Sequence, residues 1–128
     1  MATFDRATLD LAAQEREVTL TTWGRKTGKP VLTILWIWGD GHRLFIRAGG
    51  GLKADWSQNL YARGRGILTL AGREIPVRAR HIIDPAEARA GYGWIVDKYH
   101  SDVLHSTGDE PLVPGEQATF ELTPEEVP

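Results

Sequence analysis

The sequence predicts a mainly β protein of the α+β class: a small barrel of about six antiparallel strands with helices at its periphery. The chain has 128 residues, a length that suits one domain, residues 1–128, around one core. Short apolar runs recur along it, and turn signals such as Asp40-Gly41 separate them. Helical patterns lie between and before these runs, so we expect hairpin strands with helices packed around them.

The first half of the chain predicts one helix and three strands. Residues 4–16 read as an amphipathic helix with Phe4, Ala7 and Leu11 on one face. The sequence GDGH is typical of a tight hairpin turn, because Asp-Gly readily adopts positive φ. The strands are predicted at residues 17–22, 31–38 and 43–48.

The second half predicts two helices and three strands. Asp55 and Gln58 have the spacing of a capping box, which predicts a short helix over residues 55–63. Asp84 followed by proline predicts the start of a second helix, with Asp84 as its cap. That helix carries Ala88, Tyr92, Ile95 and Tyr99 at helical spacing, and the strands are predicted at residues 66–71, 74–82 and 117–122.

The predicted strand 31–38, VLTILWIW, is apolar on both of its alternating faces. A small barrel needs only its inner face to be apolar, so something must cover the outer face. The candidates are a helix, a partner subunit in a homodimer, or a flat aromatic ligand.

Composition excludes several kinds of site. The chain contains no cysteine, which rules out disulfides, thiol nucleophiles and thiolate metal sites. No apolar run approaches the roughly 20 residues of a membrane span. The first residues are too charged for a signal peptide, so we expect a cytoplasmic protein. His100 and His105 are poorly spaced for shared metal ligation, and no metal is predicted.

Positive charge is concentrated in the middle of the chain. The formal net charge is −2, yet the segment from Gly24 to Arg80 holds eleven Lys or Arg against three acidic residues. This distribution favours a localised anion site over a general nucleic-acid surface.

The turn GRKTGKP at residues 24–30 is the densest part of this segment, and we call it the cationic turn. Its glycines let successive amides converge on an anion, and Arg25, Lys26 and Thr27 add side-chain donors. It has neither the Walker A spacing nor the G-x-G-x-x-G of dinucleotide folds. Phosphate binding and a plain exposed hairpin turn are equally compatible with the residues alone.

A longer pattern surrounds this turn. L-T-T-x-G-R-K-T-G-K-P is followed by the apolar strand, D-G, A-G-G-G and D-W-x-x-N-L. This order of motifs, over about residues 18–100, resembles the deazaflavin-dependent nitroreductase family. The resemblance implies a split β-barrel of the flavin and deazaflavin oxidoreductase superfamily. It also implies coenzyme F420 as cofactor and hydride transfer to a quinone, enone or nitroaromatic.

The resemblance further implies cofactor-binding residues. Arg25, Lys26 and Thr27 would hold the phosphate and oligoglutamate tail. In the glycine loop, residues 49–51, the backbone amides of Gly50 and Gly51 would face the pyrimidine edge of the ring. The family's second loop usually reads S-K-G-G, whereas this chain has Gly49, Gly50 and Gly51, so Lys53 is the candidate for the missing cation. Trp56, from the D-W motif, completes this predicted set.

Catalytic candidates come from the end of the late helix, where family members carry a Y-x-x-Y-x-x-Y pattern. The matching positions here are Tyr99, Asp102 and His105. Tyr99 or His105 would donate a proton to the acceptor as hydride arrives. The alternative makes Tyr99 a core contact and His105 an exposed loop residue. Two other functions stay open: a relative that binds FMN, and a non-catalytic carrier of a cofactor or lipid-like molecule.

Overall fold

A computed structural model describes residues 3–125 of the protein. Its helices are α1 (Arg6–Gln14), α2 (Asp55–Arg63), α3 (Pro85–Tyr99) and α4 (Pro114–Gln117). Its strands are β1 (Val18–Trp23), β2 (Pro30–Leu35), β3 (Trp38–Gly39), β4 (Leu44–Arg47), β5 (Arg65–Leu70), β6 (Arg73–His81) and β7 (Thr119–Pro124). Over this described part of the chain, no helix has both the length and the apolar character to cross a membrane.

The strands form one antiparallel sheet in the order β2-β1-β5-β6-β7-β4-β3. Its two edge strands, β2 and β3, are consecutive in the chain, with only Trp36 and Ile37 between them. The sheet therefore curls until its two edges approach each other at this corner. The predicted mainly β fold with peripheral helices is confirmed, and the sheet has seven strands because one predicted strand is divided.

The divided strand is the one predicted at residues 31–38. It ends at Leu35 and resumes at Trp38, because two side chains of α3 bind the backbone between them. The Ile37 N–H donates to the Tyr99 hydroxyl at 3.1 Å, and the Ile37 carbonyl accepts from Lys98 Nζ at 2.7 Å. Helix side chains thus take the hydrogen bonds that a continuous strand would make with a neighbouring strand.

Two apolar clusters hold the helices on the sheet. The larger includes side chains such as Leu20, Leu68 and Phe120, each at most 1% exposed, and it holds Leu60 of α2. The smaller cluster joins α3 to the opposite face of the sheet; its members are Trp38, Phe45, Ile82, Ala88, Ile95 and Tyr99. Burial of each large side chain contributes roughly 1.5–3 kcal/mol to stability. The second cluster positions α3 beside the sheet corner.

The helix starts agree only partly with prediction. Asp84 caps α3 as predicted, accepting the Glu87 N–H at 3.0 Å. The predicted capping box of α2 is wrong: Ala54 is the N-cap without a side-chain bond, and Asp55 already lies in the first turn. In α1 the buried face runs through Thr8 and Ala12, with Ala7 exposed.

The outer face of β2 is left largely uncovered. Leu32 and Ile34 are each 67% exposed, although Trp36 at the end of this face packs against α3. No helix of the described residues lies over the first two side chains. Their cover by a partner subunit, as in a homodimer, stays a prediction.

Candidate active site

A cleft of about 430 Å³ opens at the sheet corner. One side is formed by the end of β2 and by Trp38, and another by Ile95 of α3. The segment after α3, residues 100–113, which we call the cleft loop, and the start of α4 complete it. The lining side chains are mostly apolar: Ile34, Leu35, Trp36, Trp38, Ile95, Val103, Leu104 and Val113. Such a surface suits a flat ring system, because it removes both ring faces from water.

Trp36 stands in one wall with its ring stacked on that of Tyr99. The ring centroids are 4.0 Å apart and the planes differ by 4°. The indole is still 37% exposed, whereas Tyr99 behind it is 5% exposed. Tyr99 therefore supports the wall, and Trp36 presents the surface.

The Tyr99 hydroxyl points to backbone and not to the cleft. It donates to the Arg16 carbonyl at 2.6 Å and accepts from the Ile37 N–H at 3.1 Å. Burial raises the pKa of the Tyr99 phenol, with backbone hydrogen bonding to Ile37 and the charge of Arg16 opposing that rise. This geometry favours the core-contact interpretation of Tyr99 over proton donation.

His105 lies in the cleft loop as an exposed residue. Its ring packs on Tyr92 with centroids 3.9 Å apart, and Nδ1 lies 3.2 Å from the Val103 carbonyl. Asp102 accepts from the Tyr92 hydroxyl at 2.8 Å. Neither of these polar residues is among those that line the cleft. The cleft is lined instead by the apolar residues between them, Val103 and Leu104.

The glycine loop runs from the cleft towards α2. Gly49 lines the cleft, and a Cβ built on Gly49 or Gly50 would meet no atom within 4 Å. The backbone of these two residues is therefore open to a ligand. Gly51 differs: its φ is +90°, and an added Cβ would lie 3.0 Å from Pro114 Cβ. Gly51 shapes the loop, while Gly49 and Gly50 leave room beside it.

The cationic turn is a closed hairpin between β1 and β2. The Gly28 N–H donates to the Gly24 carbonyl at 3.0 Å, and Thr27 Oγ1 accepts the Lys29 N–H at 3.2 Å. Lys26 and Lys53 are both exposed. The turn thus presents charge outward while its own backbone is partly satisfied.

Arg25 fastens this turn to α2. Its Nη1 donates to Asn59 Oδ1 at 2.8 Å and to the Asp55 carbonyl at 3.2 Å. The Asn59 amide nitrogen lies 3.5 Å from the Thr22 hydroxyl, so this asparagine connects β1, α2 and the turn. Asn59 is the N of the D-W-x-x-N-L motif, and its anchoring role was not predicted.

Trp56 from the same motif lies in the core. It is 8% exposed, and its ring centroid is 6.3 Å from that of Phe120. The predicted contact of Trp56 with a cofactor has no support in this position.

The cleft and the cationic turn are two ends of one elongated surface. Pro30 is the last residue of the turn and Leu35 lines the cleft, so β2 separates them by about 17 Å at 3.3 Å per residue. A second cavity, about 240 Å³, lies at the turn's end and is lined by Arg25, Leu52, Gln58, Tyr61 and Ala62. Only an extended ligand can reach both ends.

Two charged residues near the cleft, one half-buried and one buried, were not predicted. Arg47 lines the cleft, and Glu116 of α4 is fully buried behind it. Arg47 is the basic last residue of the otherwise apolar strand LFIR, and this position was an available signal for it. For the second, Pro114 at the first position of α4 and Glu116 at the third were an available local signal for the bond to the Val113 N–H, whereas no local pattern marks the contact with Ser106, ten residues earlier.

Comparison of the sequence with known proteins identifies a family. A protein-family model described as F420H2-dependent quinone reductase matches residues 7–112. No curated protein matches the chain in sequence.

Solved structures resemble the fold at low identity. An F420 reductase superimposes with a TM-score of 0.61 at 16% identity, covering 96% of this chain and 97% of its own. An F420H2-dependent reductase superimposes with a TM-score of 0.59 at 19% identity, covering 84% of this chain and 94% of its own. A Listeria innocua protein, provisionally named a pyridoxamine 5′-phosphate oxidase, superimposes with a TM-score of 0.65 at 13% identity. The match covers 92% of this chain and 90% of that protein. These likenesses show a split-barrel type of fold.

Proposed function

The chain belongs to the F420H2-dependent quinone reductase family, and from this premise we propose that it transfers a hydride from reduced F420 to a small electron-poor acceptor such as a quinone, enone or nitroaromatic. One observation carries the proposal. An apolar, aromatic-walled cleft lies about 17 Å from a cationic turn, and the open backbone of Gly49 and Gly50 lies along the cleft. That layout suits a flat ring with an anionic tail.

The residues present fit F420. The room beside Gly49 and Gly50 lets backbone amides approach a ring edge, and the cationic turn with Lys53 suits a phosphate and carboxylates. When bound in reduced form, F420 supplies the hydride. The chain's contribution is to bind both ends, to orient the ring against the acceptor and to exclude water with apolar cleft walls.

The proton that completes the reduction comes, in this proposal, from solvent. Arg47 is the one ionisable residue among those that line the cleft within residues 3–125. An arginine does not give up its proton in proteins. The Tyr99 hydroxyl is bonded to backbone, and His105 packs on Tyr92 away from the lining.

Replacing Tyr99 by phenylalanine is therefore expected to cost stability and not turnover. Loss of the hydroxyl leaves the buried Ile37 N–H without its acceptor, at a cost of about 1–3 kcal/mol. Thermal unfolding measures that loss, and quinone reduction with F420H2 is expected to stay within a few-fold. His105→Ala is the parallel test. A roughly hundredfold fall in turnover in either variant, with F420 affinity unchanged, would restore the proton-donor assignment.

The anionic tail is tested at Lys26, which is exposed and outside the network that fastens the turn. We expect Lys26→Ala to weaken F420 binding about tenfold, since a charge-assisted hydrogen bond contributes roughly 1.5–3 kcal/mol. Tryptophan quenching follows the titration, because Trp36 and Trp38 line the cleft. Added salt is expected to weaken binding as well. Arg25→Ala is expected to act similarly but also to loosen α2.

The control is Arg6→Ala, which removes one positive charge from the exposed face of α1. If Lys26→Ala and Arg25→Ala both bind F420 with unchanged affinity, the tail does not lie on the cationic turn. FMN is titrated alongside, because it has a similar tricyclic ring and a phosphate but lacks the oligoglutamate tail. Equal or tighter binding of FMN would favour the flavin alternative, and binding of F420 without quinone turnover would favour a carrier.

A further inference from the structure

Arg47 is held rigidly at the cleft by its own neighbours. Nε donates to Thr119 Oγ1 at 3.0 Å, and Nη2 donates to the Ala88 carbonyl at 2.9 Å. The guanidinium carbon lies 5.2 Å from the centroid of the Trp38 ring. Two hydrogen bonds and an aromatic face therefore fix the plane of this cation.

Glycines on both sides make room for this side chain. A Cβ on Gly91 of α3 would come within 2.9 Å of Arg47 Nη2. A Cβ on Gly115 of α4 would come within 3.2 Å of Arg47 Cδ. The two helices can approach the guanidinium only because neither carries a side chain there.

The charge of Arg47 is not neutralised by an ion pair. Within residues 3–125, no carboxylate oxygen lies within 4.0 Å of its nitrogens, and Nη1 has no hydrogen-bond acceptor. The carboxylate of Glu116 is engaged by Ser106 and Val113. Burial lowers the pKa of Arg47, and the charge of Glu116 opposes that shift. A half-buried cation without an ion-pair partner carries a desolvation cost, and an anionic ligand at Nη1 would offset it.

We propose that Arg47 forms an anion subsite in the cleft and selects aromatic acceptors that carry a carboxylate or an ionised ring hydroxyl. The apolar walls take the ring of the acceptor, and the uncommitted Nη1 takes its negative oxygen. That the anionic ligand is the hydride acceptor rests on the proposed reductase function. The anion subsite itself can be tested without the cofactor. A rival occupant of the same nitrogen is a carbonyl oxygen of F420, and the experiments below distinguish the two.

The first experiment uses the cofactor-free protein and two ligands of nearly the same shape, one anionic and one neutral. Calorimetric titration compares 2-naphthoate with neutral 2-naphthamide. We expect 2-naphthoate to bind about tenfold more tightly or better, as for a charge-assisted hydrogen bond. Arg47→Met is expected to abolish the difference and Arg47→Lys to keep part of it. Arg43→Met, in the turn that precedes β4, is the matched control. It is expected to keep the wild-type difference in affinity between 2-naphthoate and 2-naphthamide.

The second experiment uses the enzyme with F420H2. It compares 2-hydroxy-1,4-naphthoquinone, an anion at neutral pH, with neutral 2-methoxy-1,4-naphthoquinone. In Arg47→Met we expect KM for the anionic quinone to rise about tenfold more than KM for the neutral quinone, whereas a role in cofactor binding would weaken the Kd of F420 without this change of selectivity. Comparison of the variant with the wild type on each quinone removes their different intrinsic reactivities.

Each contrary outcome has one meaning. Equal binding of 2-naphthoate and 2-naphthamide by the wild type overturns the subsite, and this comparison needs no variant to fold. A weakened Kd for F420 with unchanged quinone selectivity assigns Arg47 to the cofactor and overturns the proposal too. If F420H2 supports no turnover, the proposed function fails, while a preference for 2-naphthoate would leave the anion subsite standing.

Discussion

Replacing Glu116 by alanine is expected to lower the free energy of unfolding by about 3 kcal/mol or more. The carboxylate accepts the Ser106 N–H at 3.0 Å, the Ser106 hydroxyl at 2.6 Å and the Val113 N–H at 3.0 Å. Each buried donor left without an acceptor costs about 1–3 kcal/mol. Chemical denaturation of the variant and of the wild type measures the total loss of unfolding free energy.

The same change is expected to damage the cleft. Ser106 and Val113 belong to the cleft loop, whose Val103 and Leu104 line the cavity. Without Glu116, the middle of this loop loses its attachment to α4 at Ser106, and the Val113 N–H at the end of the loop loses its acceptor. We therefore expect quinone turnover to fall with stability, while the distant cationic turn still binds anions. Full stability in Glu116→Ala would contradict the role of this carboxylate.

The pH dependence of the free energy of unfolding provides a second check on the role of Glu116. Burial alone would raise the pKa of Glu116, but hydrogen bonds from Ser106 and Val113 and the charge of Arg47 hold it below its ordinary value of 4.5. Because the folded pKa is depressed, the carboxylate stabilises the fold above about pH 4.5, and this contribution is lost as the pH falls through the folded pKa. Glu116→Gln, which cannot titrate, is expected to lack that component of acid sensitivity.

Gly50→Val is expected to weaken F420 binding by about 100-fold, which corresponds to about 2.7 kcal/mol and to the upper range for overpacking. The branched side chain would occupy the open space beside the loop, where the proposal places the cofactor ring. Folding is expected to be unchanged, because a Cβ at this position meets no atom within 4 Å and its φ is not left-handed. Tryptophan quenching measures affinity, and circular dichroism checks the fold.

Gly51→Val is the contrasting variant. Its positive φ and the short distance to Pro114 Cβ predict strain in the fold itself. A loss of F420 binding in Gly51→Val therefore says little about the ligand, whereas a loss in Gly50→Val without loss of stability reports the ligand directly. Normal binding by Gly50→Val would mean that the ring lies elsewhere.

Local chemistry explains what could be predicted along the chain. Asp40 accepts the N–H groups of His42 and Arg43, as expected of an Asp-Gly hairpin. Asp84 caps α3 through a residue three positions away. These features depend on neighbours in sequence, so their signals are complete within a few residues. The same holds for the cationic turn, whose closing bonds lie within residues 24–29.

The wrong capping box of α2 is a local error of one residue, but the break in the predicted strand 31–38 and the position of Tyr99 depend on residues far apart in sequence. The break after Leu35 comes from hydrogen bonds between Ile37 and α3, 61 and 62 positions later. The same contact turns the Tyr99 hydroxyl away from the cleft. No pattern within residues 31–38 can show that a distant helix will supply these donors and acceptors.

The sequence by itself determined the mainly β hairpin architecture, the concentrated positive charge of the cationic turn and the motifs that resemble a deazaflavin-dependent family. Periodicity, turn chemistry and charge are properties of short segments, and they survive any detail of packing. Only the tertiary structure decided which side chains face the cleft. It buried Trp56, turned Tyr99 to the backbone and brought Arg47 to the cleft in front of Glu116, because the orientation of a side chain depends on the elements packed against it.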